Sequence, residues 1–517
     1  MRQAGGISPV GSIAWFALHE WRLSWRDWRV LMVSQSRGRA AGMIIGIVLL
    51  IALLHGIAMV VLQPAPDLAT EPSKRALAMI TAVLAMSWSL MLSQAMEAVT
   101  RAFYTRADLE LILSSPVASW RLFAVRIAAM AVMVMLMSLI LAAPFINVMA
   151  WRGGARWLAA YPAMLSLSMI AVALAVVLIA VMFQVIGPKR TRLIAQIVAA
   201  VIGAVFIIGL QFAAILSYGT MNRLAFLESE ALTDLVPDPD SIVWGMTYAV
   251  MGHPVALTVL VLVAVVSLMA VIIVYAPRFG PFAVAAASVA QDPVRLGKGR
   301  FLGFHNTSPA QSLRRKEWAL LRRDPWLVSQ TLVQILYLLP AAYLLWSKFD
   351  TGISAATLLV PVLITASGQF TGGLAWLAIS GEDAPELIET APVPAMQVLR
   401  AKTEAVLSGT LMIFGPFLLA LALLSVRAAL IAAVGILVAG AAAMAIQFWY
   451  RLQAHRGRIR RRQTASRLTT FTEAFSSIGW ATTGAFVAAG MWIAWIPGAI
   501  SLGIVVLAWL ISPARRR

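Results

Sequence analysis

The sequence contains no cysteine, and only 12% of its residues are charged. Without cysteine the chain can form neither a disulfide framework nor a thiolate metal site, and it has no thiol nucleophile. Soluble domains are about one quarter charged and about half apolar. This chain is instead 61% hydrophobic, with a mean hydropathy of +0.85. The composition therefore predicts an all-α polytopic membrane protein whose surroundings are the lipid bilayer.

Acidic residues are also scarce, because 22 Asp and Glu face 41 Lys and Arg, which gives a net charge of +19. In a soluble protein such an excess would suggest a nucleic-acid partner. Here the positive charges flank apolar runs, where they are typical signals of membrane topology. We therefore expect no nucleic-acid partner. The first apolar run begins only near Ala40, behind a polar segment, so we expect no cleavable signal peptide.

Apolar runs long enough to cross the bilayer as helices, at about 20 residues each, occur repeatedly along the chain. We place about twelve spans, at residues 40–62, 76–97, 122–149, 157–186, 192–218, 254–275, 328–346, 353–379, 400–424, 427–450, 473–491 and 494–512. If the N-terminus is cytoplasmic, 34 Lys and Arg lie in cytoplasmic segments and 7 lie in outer loops. This bias follows the positive-inside rule, so we expect both termini to be cytoplasmic.

A first short stretch occurs twice in the chain. Residues 20–27 are EWRLSWRD, residues 317–324 are EWALLRRD, and five of the eight positions are identical. In the first copy, apolar residues recur at spacings of three and four from Ala14 to Met32, with the charged residues away from that stripe. This pattern favours an amphipathic helix that lies in the membrane interface.

A second stretch also occurs twice, each time in the loop after the second span of a predicted six-span half. DLELILSSPV at residues 108–117 aligns without a gap with APELIETAPV at residues 384–393, and a basic residue follows at the same distance, Arg126 or Lys402. Two matches in the same order predict a tandem duplication. The fold we expect is two parallel six-helix repeats related by a pseudo-two-fold axis along the membrane normal.

The second stretch predicts a short rigid helix. Asp108 can cap a helix that begins at Leu109, and Pro116 would end it after about two turns. Such a helix at the tip of a loop would present Leu111 and Ile112 to a groove on a partner. The other copy would present the corresponding apolar pair.

At these residues the chain resembles the permease subunits of ATP-binding cassette (ABC) exporters. The resemblance is to the class with a connecting helix before the first span and a coupling helix between the second and third. It implies that residues 13–37 and 312–324 are connecting helices, and that 108–116 and 384–392 are coupling helices. The implied coupling residues are Asp108, Leu109, Glu110, Leu111, Ile112, Pro116, Glu386, Leu387, Ile388 and Pro392. The implied connecting-helix residues are Glu20, Trp21, Arg26, Asp27, Glu317, Trp318, Arg323 and Asp324.

The resemblance further implies a permease, in a bacterial-type cytoplasmic membrane, that exports a substrate with ATP hydrolysed by a separate cytoplasmic ABC ATPase, in two copies. The chain contains no GxxxxGK[ST] phosphate loop. We therefore expect no enzyme and no cofactor in this chain, with ATP and Mg bound by the partner. The predicted organisation is an N-terminal segment with its connecting helix, a first half, a linker with the second connecting helix, a second half and a basic tail, at residues 1–39, 40–275, 276–327, 328–512 and 513–517.

The residues also bear on two other function classes. An ion-coupled secondary transporter usually keeps an ionisable residue near mid-membrane. In our spans Glu97, Glu404 and Glu473 lie only at predicted cytoplasmic ends, although polar residues such as Gln447 keep ion binding open. A membrane-embedded enzyme is disfavoured because the five histidines are scattered and none is at metal-ligand spacing from a carboxylate. We predict no catalytic or metal site.

Overall fold

The structure is a computed structural model, and within the residues it describes the chain is helical, with no strand. The described residues are 9, 12–32, 48, 51–62, 73–104, 119–217, 237–278, 280–282, 308–323, 332, 336, 353–380, 382, 387–388, 390–450 and 467–512. The chain divides into two compact units, unit 1 at Met1–Val294 and unit 2 at Arg295–Arg517.

Helices of 6 to 58 residues make up the described part of both units. Those of unit 1 are α1 (Ile13–Met32), α2 (Ile51–Val61), α3 (Lys74–Tyr104), α4 (Ser119–Gly153), α5 (Ala160–Ser217), α6 (Gly245–Val250) and α7 (Pro254–Tyr275). Those of unit 2 are α8 (Pro309–Arg323), α9 (Ile353–Ser380), α10 (Ala395–Leu424), α11 (Val426–Trp449), α12 (Arg467–Ala488) and α13 (Trp495–Ile511). Short 3-10 turns lie at Ala155–Ala159, Ile242–Trp244, Ala276–Arg278 and Trp492–Ala494.

Eight helical segments of the described residues are long and apolar enough to cross a membrane. They are Ala76–Phe103, Trp120–Gly153, Ala155–Pro188, Pro254–Arg278, Leu359–Ile379, Ala395–Leu424, Val426–Trp449 and Trp492–Leu510. The chain is therefore a polytopic, membrane-embedded protein that is all-helical in its described residues, as its composition predicts.

The remaining four predicted spans differ in how much of them is described. Of 40–62, only residue 48 and residues 51–62 are described, and 328–346 lies outside the described residues except for positions 332 and 336. Residues 192–217 are helical in α5, and 473–488 are helical in α12. Neither of these two is among the eight segments above. The number twelve stays a prediction.

The core of unit 1 lies between α3, α4, α5 and α7. Helix α5 has two arms, because Gly187 has a φ of +77° and Pro188 follows it. Only glycine adopts such a φ without strain, and proline lacks the backbone N–H that would continue the helix. Helix α3 is hydrogen-bonded to both arms: Trp88 Nε1 donates to a carbonyl of the first arm over 3.3 Å, and Ser93 Oγ to one of the second over 2.7 Å.

Unit 1 has a second, smaller hydrophobic cluster around Trp244, which lies in the 3-10 turn Ile242–Trp244 that Ser241 caps. Trp244 packs with the buried Leu77 and Trp157. Its Nε1 donates to the backbone carbonyl of Asp238 over 3.0 Å, and Lys74 Nζ lies 2.7 Å from Asp238 Oδ1. The hydrogen bond and positive charge of this lysine lower the pKa of the Asp238 carboxyl below its ordinary value.

The core of unit 2 lies between α9, α10, α11 and α12. On α9, Gly368 and Gly372 are one turn apart in the sequence GQFTG. A Cβ atom at Gly372 would overlap with the Glu473 carboxylate of α12, and one at Gly368 would overlap with the Ser477 hydroxyl. Small residues at this spacing let membrane helices approach closely. The two glycines therefore set the close packing of α9 on α12.

A single residue, Ser425, joins α10 to α11. Its backbone is extended, with φ −156° and ψ 109°, so it ends α10 after Leu424. Its hydroxyl accepts a hydrogen bond from the Ala428 N–H over 3.2 Å, which caps the N-terminus of α11. The local sequence thus ends one long helix and begins the next without a loop.

Candidate functional site

In unit 1, the predicted connecting helix α1 packs on the start of α4. Phe16 of α1 is buried with Leu122 and Val125 of α4. One turn after Phe16, the Glu20 carboxylate accepts a hydrogen bond from Arg126 Nε over 3.2 Å, and both side chains are less than one tenth exposed. An ion pair at this depth fixes the register of α1 on α4, because either charge alone would be costly to bury.

In unit 2, the predicted connecting helix α8 carries Glu317, which is fully buried. Lys402 Nζ of α10 lies 2.9 Å from Glu317 Oε1, and Lys316 Nζ lies 3.1 Å from the same oxygen. Lys402 also donates to the Ala378 carbonyl near the end of α9, and Lys316 pairs with Glu382. This cluster of two lysines and two glutamates ties α8 to α9 and α10.

A second ion pair, nearer the surface, also joins α8 to α10. The Arg314 guanidinium donates two hydrogen bonds to the Glu404 carboxylate, and both side chains are about half exposed. The pairing raises the pKa of Arg314 above its ordinary value. Because water screens exposed charges, we expect this pair to stabilise the helix contact less than the buried one does.

The geometry around the two buried glutamates is similar. Arg126 and Lys402 are each the eighth residue of their helix, since α4 begins at Ser119 and α10 begins at Ala395. The residue after each glutamate is a tryptophan that points away from the unit, Trp21 at 64% exposure and Trp318 at 43%. An indole ring with an apolar face and a polar N–H suits the membrane interface. Helices α1 and α8 can therefore each contact their own unit on one face and the membrane interface on another.

In each unit, the buried ion pair joins a residue of the first repeated stretch to the basic residue that follows the second. Glu20 and Glu317 are the first residues of the EW stretches, and Arg126 and Lys402 are the basic residues that follow the PV stretches. The sequence marked all four positions but did not predict that they meet in pairs. Their separation along the chain hides the contact. The one sequence feature that could have predicted this pairing is that both copies carry opposite charges at the corresponding positions.

The other predicted connecting-helix residues are placed in part. Arg26 and Asp27 lie within α1, and Arg323 is the last residue of α8. Asp324 lies outside the described residues. The described helices, Ile13–Met32 and Pro309–Arg323, cover most of the predicted ranges 13–37 and 312–324.

The predicted coupling residues are described only in unit 2. Leu387 and Ile388 are helical, and Leu387 is 71% exposed. The chain then bends at an exposed Pro392 and enters α10. Glu386 and the first-half coupling residues lie outside the described residues, namely Asp108, Leu109, Glu110, Leu111, Ile112 and Pro116.

The comparisons with known proteins identify no relative. No known protein family, curated protein or solved structure matches the chain.

Proposed function

We propose that the chain is the membrane permease subunit of an ABC transporter. It moves a substrate outward across a cytoplasmic membrane. A separate ATPase binds ATP and Mg and hydrolyses the ATP that drives this transport. In this proposal the chain is a tandem duplication, each half has six spans, and both termini are cytoplasmic. Residues 108–116 and 384–392 are the helices that dock on two copies of the ATPase.

The two buried ion pairs are the observation that carries this proposal. In each unit, a helix that precedes the spans is joined by a buried glutamate to the helix that follows a predicted coupling segment. A helix that served only as a surface anchor would not need a buried charge pair, since such a pair is costly to desolvate. The pairs are suited to make the connecting helix move together with the span that leaves the coupling segment.

The route of force in unit 2 is short. From the exposed Leu387, the chain passes through Pro392 and Pro394 into α10, where Lys402 is the eighth residue. Eight helical residues span about 12 Å at 1.5 Å each. A push on the coupling segment would therefore reach the Lys402–Glu317 pair through one rigid helix, and would displace α8 with α10.

Co-purification with an ATPase tests the proposal. The tagged chain is extracted in mild detergent from its native host, beside a variant with Leu111, Ile112, Leu387 and Ile388 changed to Asp. A control variant changes Ile242, an exposed residue of the Trp244 cluster region, to Asp. We expect a protein with a nucleotide-binding phosphate loop to co-purify with the native chain and with the control, in about two copies.

The coupling variant should lose that ATPase while it still inserts into the membrane, as judged by protease accessibility. Substrate-stimulated ATP hydrolysis in reconstituted vesicles should be lost with it. If cross-linking recovers no ATPase with the native chain, or if the coupling variant retains it fully, the permease proposal is wrong.

Ion-coupled secondary transport remains the second candidate, and one observation favours it. Glu473 of α12 is buried inside unit 2, although the sequence placed it only at the end of a span. Ionisable groups at such positions are costly and are often functional. Transport driven by an ion gradient in vesicles without ATP would favour this candidate over the permease.

A further inference from the structure

Helix α12 carries a stripe of buried polar side chains. It consists of Thr469, Glu473, Ser476 and Ser477, and the partly buried Trp480 continues it. These residues lie at positions −4, +3, +4 and +7 relative to Glu473 and so share one side of the helix. Thr469, Ser476 and Ser477 are each 1% exposed, and Glu473 is 7% exposed. Such a stripe is unusual in a helix that packs inside an apolar core.

The side chains that flank Glu473 have unused hydrogen-bonding capacity. Among the described residues, no partner accepts or donates a hydrogen bond at Thr469 Oγ1, Ser476 Oγ, Ser477 Oγ or Trp480 Nε1. Buried polar atoms are almost always paired, because an unpaired one loses its hydration without compensation. These atoms lie on both sides of Glu473 along α12, so they are available to a ligand or to a changed state of the carboxyl group.

The Glu473 carboxyl group is enclosed by two other helices. Gln447 Nε2 of α11 donates to Glu473 Oε2 over 2.7 Å. Gly372 of α9 faces the carboxyl group so closely that a side chain at that position would overlap with it. One turn further along both helices, Gly368 faces Ser477 in the same way. The carboxyl group therefore sits in a notch made by a glycine pair, with one neutral amide as its described partner.

No described cation compensates a charge at this position. Helix α12 packs on α9, α11, α13 and the 3-10 turn before α13. Their described titratable side chains are Arg427, which donates to the Val487 carbonyl at the far end of α12, and Tyr450, which donates to the Ala508 carbonyl. On α12 itself, Arg467 is the first residue of the helix, six positions before Glu473. An ionised carboxylate in an apolar core without a cation is strongly disfavoured.

We propose that Glu473 is a proton-binding site in the core of unit 2. The carboxyl group holds its proton while α9, α11 and α12 are packed as described, and Gln447 Nε2 donates a hydrogen bond to its other oxygen. When α9 and α12 separate, the O–H bond breaks, the proton passes to water and the carboxylate becomes hydrated. The site is independent of the proposed ATPase partner, because it depends only on contacts within unit 2.

Infrared spectroscopy of the purified full-length protein tests the site. A buried carboxylic acid has a C=O stretch that is separate from the carboxylate bands. We expect this band at neutral pH in the native protein, and its loss in Glu473→Gln. Glu404→Gln is the matched control, since Glu404 is a half-exposed glutamate paired with Arg314, and it should leave the band unchanged. Gln447→Leu should shift the band, because it removes the amide that contacts the carboxyl group.

The outcomes are distinct. No acid band at neutral pH would overturn the proposal, because a cation such as an arginine of segment 451–466 would then have to pair with Glu473. Loss of the band on adding sodium chloride at constant pH would also overturn it, since a metal cation would then be the ligand. Should Glu473→Gln fail to fold, two measurements still test the assignment of the band to Glu473. They are the shift of the band in Gln447→Leu and the pH dependence of the band in the native protein. None of these results depends on whether an ATPase co-purifies.

Discussion

Changing Glu20 to Gln should destabilise the protein strongly. The carboxylate of Glu20 and the guanidinium of Arg126 are 8% and 4% exposed, so the change leaves a buried positive charge without this partner. Removing one partner of a buried ion pair costs about 3–5 kcal/mol. At about 1.4 kcal/mol per factor of ten, the ratio of folded to unfolded protein should fall by roughly two to four powers of ten.

The measurement is unfolding of the purified protein in mixed micelles with increasing sodium dodecyl sulfate, followed by tryptophan fluorescence. Glu404→Gln is the matched control, because its pair with Arg314 is about half exposed and such pairs contribute about 0–1 kcal/mol. A double change of Glu20 to Leu and Arg126 to Met removes both charges. It should therefore cost less than the two single changes added together.

The result in unit 2 should differ in a defined way. Changing Lys402 to Met leaves Lys316 Nζ at 3.1 Å from Glu317, so one positive charge still faces the buried carboxylate. The cost should therefore be smaller than the roughly 3–5 kcal/mol of leaving a buried charge without any partner. If Glu20→Gln costs no more than Glu404→Gln, the Glu20–Arg126 pair does not hold α1 against α4, and the proposed movement of α1 together with α4 is wrong.

Three further changes test the packing. Gly372→Ala should lower the unfolding midpoint or displace Glu473, because the added Cβ overlaps with the Glu473 carboxylate. Gly503→Ala is the control and should be neutral or slightly stabilising, because a Cβ there meets nothing within 4 Å. Equal midpoints for both variants would contradict the close approach of α9 and α12. Gly187→Ala should cost about 1–2 kcal/mol in the same assay because of the positive φ, and no loss would mean that the two arms of α5 are not joined as described. Asp238→Asn should increase the hydrogen exchange of residues 237–251 only modestly at pH 7, since the Lys74–Asp238 pair is exposed. This difference from the native protein should disappear as the pH falls through the lowered pKa of Asp238, because the carboxyl group loses its charge there. A difference that persists at lower pH would refute the role of the ion pair.

The sequence predicted the helical membrane class because hydropathy is a local property. It also predicted the turn between the arms of α5, since the charged segment after residue 186 interrupts an apolar run. It did not predict the burial of Glu473, which lies near the beginning of α12 and looks like a boundary residue in a hydropathy profile. That burial depends on Gly372 of another helix, and contacts between helices are not encoded in the local pattern.

The candidate site was predictable to a similar degree. The duplicated stretches identified Glu20, Glu317, Arg126 and Lys402 as positions of interest, because a match between copies can be seen in the sequence alone. Their pairing depends on how α1 and α8 fold back on later helices. The sequence had placed Glu20 away from the apolar stripe of its helix. The structure explains why: that side of α1 faces Arg126, while the exposed Trp21 lies next to it.

The one-residue joint at Ser425 restricts how unit 2 can deform. Neighbouring Cα atoms are about 3.8 Å apart, so the last residue of α10 and the first of α11 can never be more than about 7 Å apart. This connection therefore acts as a hinge that keeps these two helix ends together. Any opening between them must widen toward their other ends, where Lys402 and Gln447 lie, so a small rotation at the hinge becomes a larger displacement beside both buried glutamates of unit 2.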